Sequence, residues 1–136
     1  MDEVTGLIES EIVDLMLRDN VVDCDVVPGA SADLRADEYV SVVALEAEYR
    51  AANTYVVEVE FRVVVPIDEA DSIARQKDRF RLVVDWVQAP TTPLLGYSSS
   101  VLHLRGHIMR RLYSKIGERS RAEIMHVRFG ATAIRA

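Results

Sequence analysis

Between Val4 and Met16 the apolar residues Val4, Leu7, Ile8, Ile12, Leu15 and Met16 recur at steps of three and four, with Glu9, Glu11 and Asp14 between them. This period predicts an amphipathic helix over 2–19. Val21–Val27 is short and rich in β-branched residues, which predicts a first strand stopped by Pro28-Gly29. The polar stretch Ala30–Asp37 then reads as a loop. Two long alternating segments follow. In Thr54–Val65 the odd positions Tyr55, Val57, Val59, Phe61, Val63 and Val65 are apolar, while Glu58, Glu60 and Arg62 fall on the other face. In Tyr39–Tyr49 the odd positions Val43, Leu45, Ala47 and Tyr49 are apolar and Glu46 and Glu48 alternate with them. A turn within Arg50–Asn53 makes these a hairpin. An odd-numbered connection, Ala51–Asn53, would set Tyr49 against Tyr55, Leu45 against Val59, Val43 against Phe61 and Glu46 against Glu58.

Pro66 ends the second long strand, and Asp68 with Asp71 can open a helix whose apolar stripe is Ile73, Phe80, Val83, Val84 and Val87. The segment Pro90–Ser100 holds two prolines and Gly96 and is long enough to be either a functional loop or a plain connector. Gly106–Ile116 fits both a strand and a helix, since Leu102, Leu104 and Ile108 alternate while Ile108, Leu112 and Ile116 repeat at helical spacing; the strand is the favoured reading. Met125, Val127, Phe129, Ala131 and Ala133 alternate with polar partners and predict a final strand. The sum is an α+β protein: a mostly antiparallel sheet of four to five strands packed with an N-terminal helix and a central core helix.

The length of 136 residues suits a single domain over 1–136, and 49% hydrophobic with 28% charged residues suits a folded chain rather than a disordered one. No apolar run reaches the roughly 18 residues that span a bilayer, and the start Met-Asp-Glu-Val is acidic where a secretory signal is basic, so a soluble protein that is not exported is expected. Cys24 is the single cysteine, which excludes an internal disulfide.

Charge is distributed unevenly. Residues 1–65 carry fifteen acidic and four basic side chains, a net −11, whereas residues 101–136 carry two and eight, a net +6. Opposite poles of this kind either pair within one chain or bring identical copies together, unlike face to unlike face. The hairpin concentrates the acids: Glu46 faces Glu58, with Glu48 and Glu60 beside them, and such a cluster must be solvated or answered by cations from elsewhere. If copies meet, Glu46, Glu48, Glu58 and Glu60 of one subunit would face Arg105, Arg110, Arg111 or Arg119 of the next.

Patterns for catalysis are weak. Gly96-Tyr97-Ser98 lacks the second glycine of a nucleophile elbow. His103 and His107 on a strand would stand ~13 Å apart, too far to share a metal ion. The six glycines form neither a dinucleotide fingerprint nor a phosphate loop. Arg105–Lys115 mingles arginine with Tyr113, but no nucleic-acid-binding motif accompanies it. The expectation is a protein without catalytic residues, metal or cofactor.

The order of these elements resembles that of the tail terminator, or tail completion, proteins of long-tailed bacteriophages. The likeness is carried by the opening helix Val4–Met16, the hairpin from Glu38-Tyr-Val-Ser-Val-Val through Tyr55-Val-Val-Glu-Val-Glu-Phe, the helix around Asp78–Trp86 and the last strand Glu123–Ala133. It spans nearly the whole chain and lies in layout rather than in a short motif. The resemblance implies a subunit that assembles in the host cytoplasm, usually as a hexameric ring in the virion, and caps the tail tube. Its partners would be the tail tube protein and a head-side connector or neck protein, with DNA passing through the ring unread. Other neck or head–tail joining proteins are the near alternative, and a small α+β ligand-binding protein or enzyme with a pocket beneath Thr91–Ser100 is the alternative from another class.

Overall fold

The computed structural model describes residues 2–29, 38–67, 70–99 and 102–133. The expected loop Ala30–Asp37 and the expected helix-opening Asp68 lie outside the described residues. The elements run α1 (Asp2–Arg18), β1 (Asp25–Pro28), β2 (Tyr39–Ala51), β3 (Thr54–Pro66), α2 (Ala70–Gln88), β4 (Leu102–Ile116) and β5 (Ser120–Ala133). The protein is α+β, with one five-stranded sheet in the order β1-β2-β3-β5-β4, parallel only where β1 meets β2. Both helices lie on one face of the sheet, and among the described residues the other face carries no helix.

The sandwiched core follows the alternation of β3. Every odd position from Tyr55 to Val65 is buried, those from Tyr55 to Val63 in one core with α1 and α2, and the same layer continues into Met125, Val127, Phe129 and Ala131 of β5 and into Leu102 and Leu104 of β4. From α1, Ile8, Ile12 and Met16 are fully buried against it, as their spacing requires. The ambiguous segment Gly106–Ile116 is strand: it pairs with β5 along its length, which supplies ladder partners that a lone helix there would lack.

Four local expectations are corrected. The first strand begins at Asp25 rather than Val21, because Val21 still donates its amide to Met16 and completes the end of α1. The β2–β3 connection is two residues long, not three: Ala51 faces Thr54, and Ala52 and Asn53 both adopt positive φ, the backbone of a tight hairpin turn that matches the twist of its strands. Tyr49 still faces Tyr55 and Glu46 still faces Glu58, but a bulge at Leu45 then shifts the ladder. Ala44, not Leu45, opposes Val59, and Val42, not Val43, opposes Phe61. Before the bulge the even residues Val40 and Val42 enter the core; after it Ala47 does, and Leu45 turns out to solvent. Glu9 of α1 meets this bulge by accepting the Ala44 amide at 2.8 Å, and burial pushes its carboxyl pKa up while that amide offsets part of the rise.

The stripe of α2 is the fourth correction. Val83 and Val87 are buried as expected, but Ile73, Phe80 and Val84 are half-buried, and the inner face of the first turns is polar: Ser72, Gln76 and Arg79. Ser72 donates to the Pro66 carbonyl, and the buried Gln76 amide donates to the carbonyls of Val63 and Arg121, bridging β3 and β5 from above. Arg79 reaches Glu38 at the start of β2 and Asp23 ahead of β1, and Arg75 forks onto the same Glu38 at 2.6 and 3.0 Å. The Arg75 hydrogen bond leads in holding the Glu38 carboxyl down at about 2, with Arg79 adding to it.

Alanine in the left-handed region costs ~1 kcal/mol that asparagine largely avoids. Ala52→Asn is therefore expected to raise the thermal midpoint by roughly 3–5 °C in a calorimetric scan, and an unchanged or lower midpoint would contradict the turn geometry.

Candidate assembly surfaces

On the helix-free face the register lines side chains up in rows that cross four strands. One row runs Val43, Glu60, His126 and Arg111, and the next Glu46, Glu58 and Arg128. Glu58 accepts from Arg128 Nε at 2.7 Å and contacts His126 Nε2 at 2.7 Å. Glu60, 4% exposed, accepts from Arg62 Nε at 2.9 Å, from its terminal nitrogen at 2.6 Å, and from the Tyr113 hydroxyl. Burial pushes both carboxyls up, but the donated hydrogen bonds outweigh it and hold Glu58 and Glu60 below the usual carboxylate range. Tyr113 is correspondingly raised, by burial and then by Glu60. Two of the four clustered glutamates are thus answered inside their own chain. The partners of Glu58 come from β5, which the fold brings beside β3, whereas Glu60 is held by Arg62 of its own strand and by Tyr113 of β4 beyond β5. The alternation of 125–133 already set His126 and Arg128 on one face, but not next to which strand.

The other charged candidates sit at the two rims of the sheet. Glu46 and Glu48 are exposed on β2, where β1 no longer covers its edge, since β1 pairs only with Tyr39–Val42. Among the described residues Glu48 reaches only Arg50, 3.5 Å away and equally exposed. At the opposite rim, β4 is the last strand of the sheet. Arg110 and Arg111 are exposed on it, Arg111 lying 4.3 Å over the ring of Tyr113, and Arg119 is exposed in the β4–β5 turn. Arg105 lies on β4 beside the irregularity between Leu104 and Gly106.

Each rim also carries apolar side chains turned to solvent. Met109, Leu112 and Ile116 of β4 share the face of Val127, Met125 and Arg121, yet they are exposed because α2 covers β3 and β5 and does not extend over β4. Leu45 and Tyr49 of β2 are exposed likewise, Tyr49 leaning edge-on against Tyr55 at 5.5 Å. These five residues are missing from the sequence-derived candidates. An alternation of apolar residues marks the face of a strand but not the point at which the covering helix runs out.

The segment named in the alternative ligand-pocket reading, described through Ser99, packs back on α1. Leu94 is fully buried, the Tyr97 hydroxyl and Ser99 Oγ both donate to Glu11, and Ser98 forms a bridge with His103. Among the described residues no three His, Cys, Asp or Glu side chains converge as a metal site. The ring of His107 contacts Phe129 at 5.5 Å, and His126 is engaged by Glu58. The rims therefore offer contact surface, acidic with two apolar residues on β2 and basic with three on β4. No protein-family model matches the chain, and no curated protein matches it in sequence.

Proposed function

We propose that this chain is a structural subunit that closes with copies of itself into a ring, a hexamer of the tail-terminator kind in a long-tailed bacteriophage virion. The observation that carries the reading is the pair of complementary rims. Glu46 and Glu48 with Leu45 and Tyr49 stand on one edge of the sheet, and Arg110 and Arg111 with Met109, Leu112 and Ile116 on the other, with Arg119 in the adjoining β4–β5 turn. Two different surfaces at opposite ends of one sheet make a head-to-tail contact, and a head-to-tail contact that closes makes a ring. Apolar residues supply the area removed from water, and unlike charge supplies register and orientation. Glu58 and Glu60 serve inside the subunit, so the acids of the contact narrow to Glu46 and Glu48.

The station in the virion rests on the resemblance of element order, which the helix–strand–hairpin–helix–two-strand succession of the fold retains. In that role one face of the ring would meet the tail tube protein and the other the head-side connector or neck protein. DNA would pass through the bore without being read. Assembly would take place in the host cytoplasm, and no catalytic group, metal or cofactor has a part in it.

Light scattering tests the contact. The triple variant Arg110→Glu, Arg111→Glu, Arg119→Glu is expected to run as a monomer with an unchanged circular dichroism spectrum. Adding Glu46→Arg and Glu48→Arg to the same chain should restore the ring, because both rims are then reversed together. Raised salt should weaken the wild-type ring where its ion pairs remain exposed. A wild-type chain that stays monomeric at every concentration, or a ring indifferent to the triple reversal, overturns the proposal.

A further inference from the structure

We propose that a pocket on the helix-free face, beside the β4–β5 turn, binds a monoanionic carboxylate that carries an apolar tail. Two rows of side chains crossing the sheet build it: Tyr39, Val64, Ala122 and Lys115 in one, and Ser41, Arg62, Ile124 and Tyr113 in the other. The cavity measures about 310 Å³, at the small end of ligand sites and larger than a carboxylate group alone requires. Its floor is apolar, from Val64 and the fully buried Ile124. Its walls are donors. Ser41 is 2% exposed, and neither its hydroxyl, that of Ser120, nor the Lys115 ammonium makes a side-chain hydrogen bond or ion pair among the described residues. Arg62 gives Nε and one terminal nitrogen to Glu60, which leaves its other terminal nitrogen free to donate.

Charge selects the ligand. Among the described residues Lys115 and Arg62 bring two positive charges and the buried Glu60 removes one, leaving a single positive charge at the mouth. Glu60 stays ionised because Tyr113 and Arg62 outweigh its burial, so the balance does not shift near neutral pH. One negative charge meets this site without remainder, and a phosphate dianion does not. A planar carboxylate can take the free arginine donor and the lysine together, with the two hydroxyls at its flanks and its tail over Val64 and Ile124. The carboxylate can belong to a free organic acid or to the C-terminus of a peptide. Pocket and contact rims share strands β2 and β4 but use different residues on them, so binding can be read in whatever oligomeric state the chain adopts.

Calorimetry and amide shifts of the full chain test the pocket, with octanoate, octan-1-ol, a dipeptide ending in leucine and its C-terminal amide as probes. Octanoate or the dipeptide acid should bind saturably and shift the amides of Ser41, Arg62 and Ile124; the tighter of the two identifies the source. Octan-1-ol and the dipeptide amide should bind at least tenfold more weakly. Lys115→Gln should weaken the acid about tenfold and leave the alcohol unaffected, and Lys115→Arg should restore the acid. The proposal fails if neither acid saturates, if the uncharged probes match the acids, or if Lys115→Gln changes nothing.

Discussion

Glu38→Gln is expected to lower stability by about 3 kcal/mol at pH 7, the free energy equivalent of a carboxyl held near 2 instead of its ordinary 4.5. The carboxylate is four-fifths buried and takes the forked guanidinium of Arg75 on one side and Arg79 on the other, while Arg79 itself is only 10% exposed. Without Glu38 the charged partner left to Arg79 among the described residues is Asp23, whose side chain is 80% exposed and so shared with water. A buried cation stripped of its main partner is costly. The depressed pKa fixes the pH window. A group ionised more readily in the folded than in the unfolded chain contributes its full stability above pH 4.5, and loses it as pH falls toward 2. Urea unfolding of wild type and variant should therefore show a gap of about 3 kcal/mol at neutral pH that closes as pH approaches 2. A gap that stays constant down to pH 2 would assign the loss to packing and not to the ionised carboxylate.

Phe61→Ala is expected to cost about 4 kcal/mol, a large share of the 5–15 kcal/mol that holds a typical domain together. Phe61 is fully buried at the centre of β3, flanked in register by Val42 and Met125, with the helices above it. Neighbours pinned in three paired strands cannot collapse into the space it leaves. Leu112 lies on the same row one strand further out, opposite Met125, yet it is 49% exposed. Leu112→Ala should cost under about 1 kcal/mol in the isolated subunit. Its loss should instead show in assembly, as a higher concentration needed to form the ring. A denaturant midpoint that falls for Phe61→Ala at unchanged slope, with little change for Leu112→Ala, is the expected pair of results. Equal losses would mean that β4 is covered within a single chain.

These two sites mark how far the chain is legible before it folds. Phe61 belongs to an unbroken alternation, and its burial could be read directly, because a strand repeats every two residues and β3 keeps that repeat without a bulge. Glu38 gave no such signal. It belongs to a hydrophilic stretch, and its partners Arg75 and Arg79 look like the solvated face of a helix until that helix is laid across the start of β2. The same holds for the polar inner turns of α2, where Gln76 looks like a surface residue and is instead fully buried between two strand carbonyls.

Local sequence determined the helices, the long hairpin, the last strand and the asymmetry of charge along the chain, because period and composition are properties of neighbours. Tertiary structure decided which charges from distant parts of the chain meet. By placing β5 beside β3 it neutralised Glu58 inside the sheet, whereas Glu60 is held by its strand neighbour Arg62, and it left Glu46, Glu48 and the arginines of β4 at opposite rims. It also decided which apolar residues stay wet, since a side chain on a strand is covered only where a helix from a distant part of the chain happens to reach it.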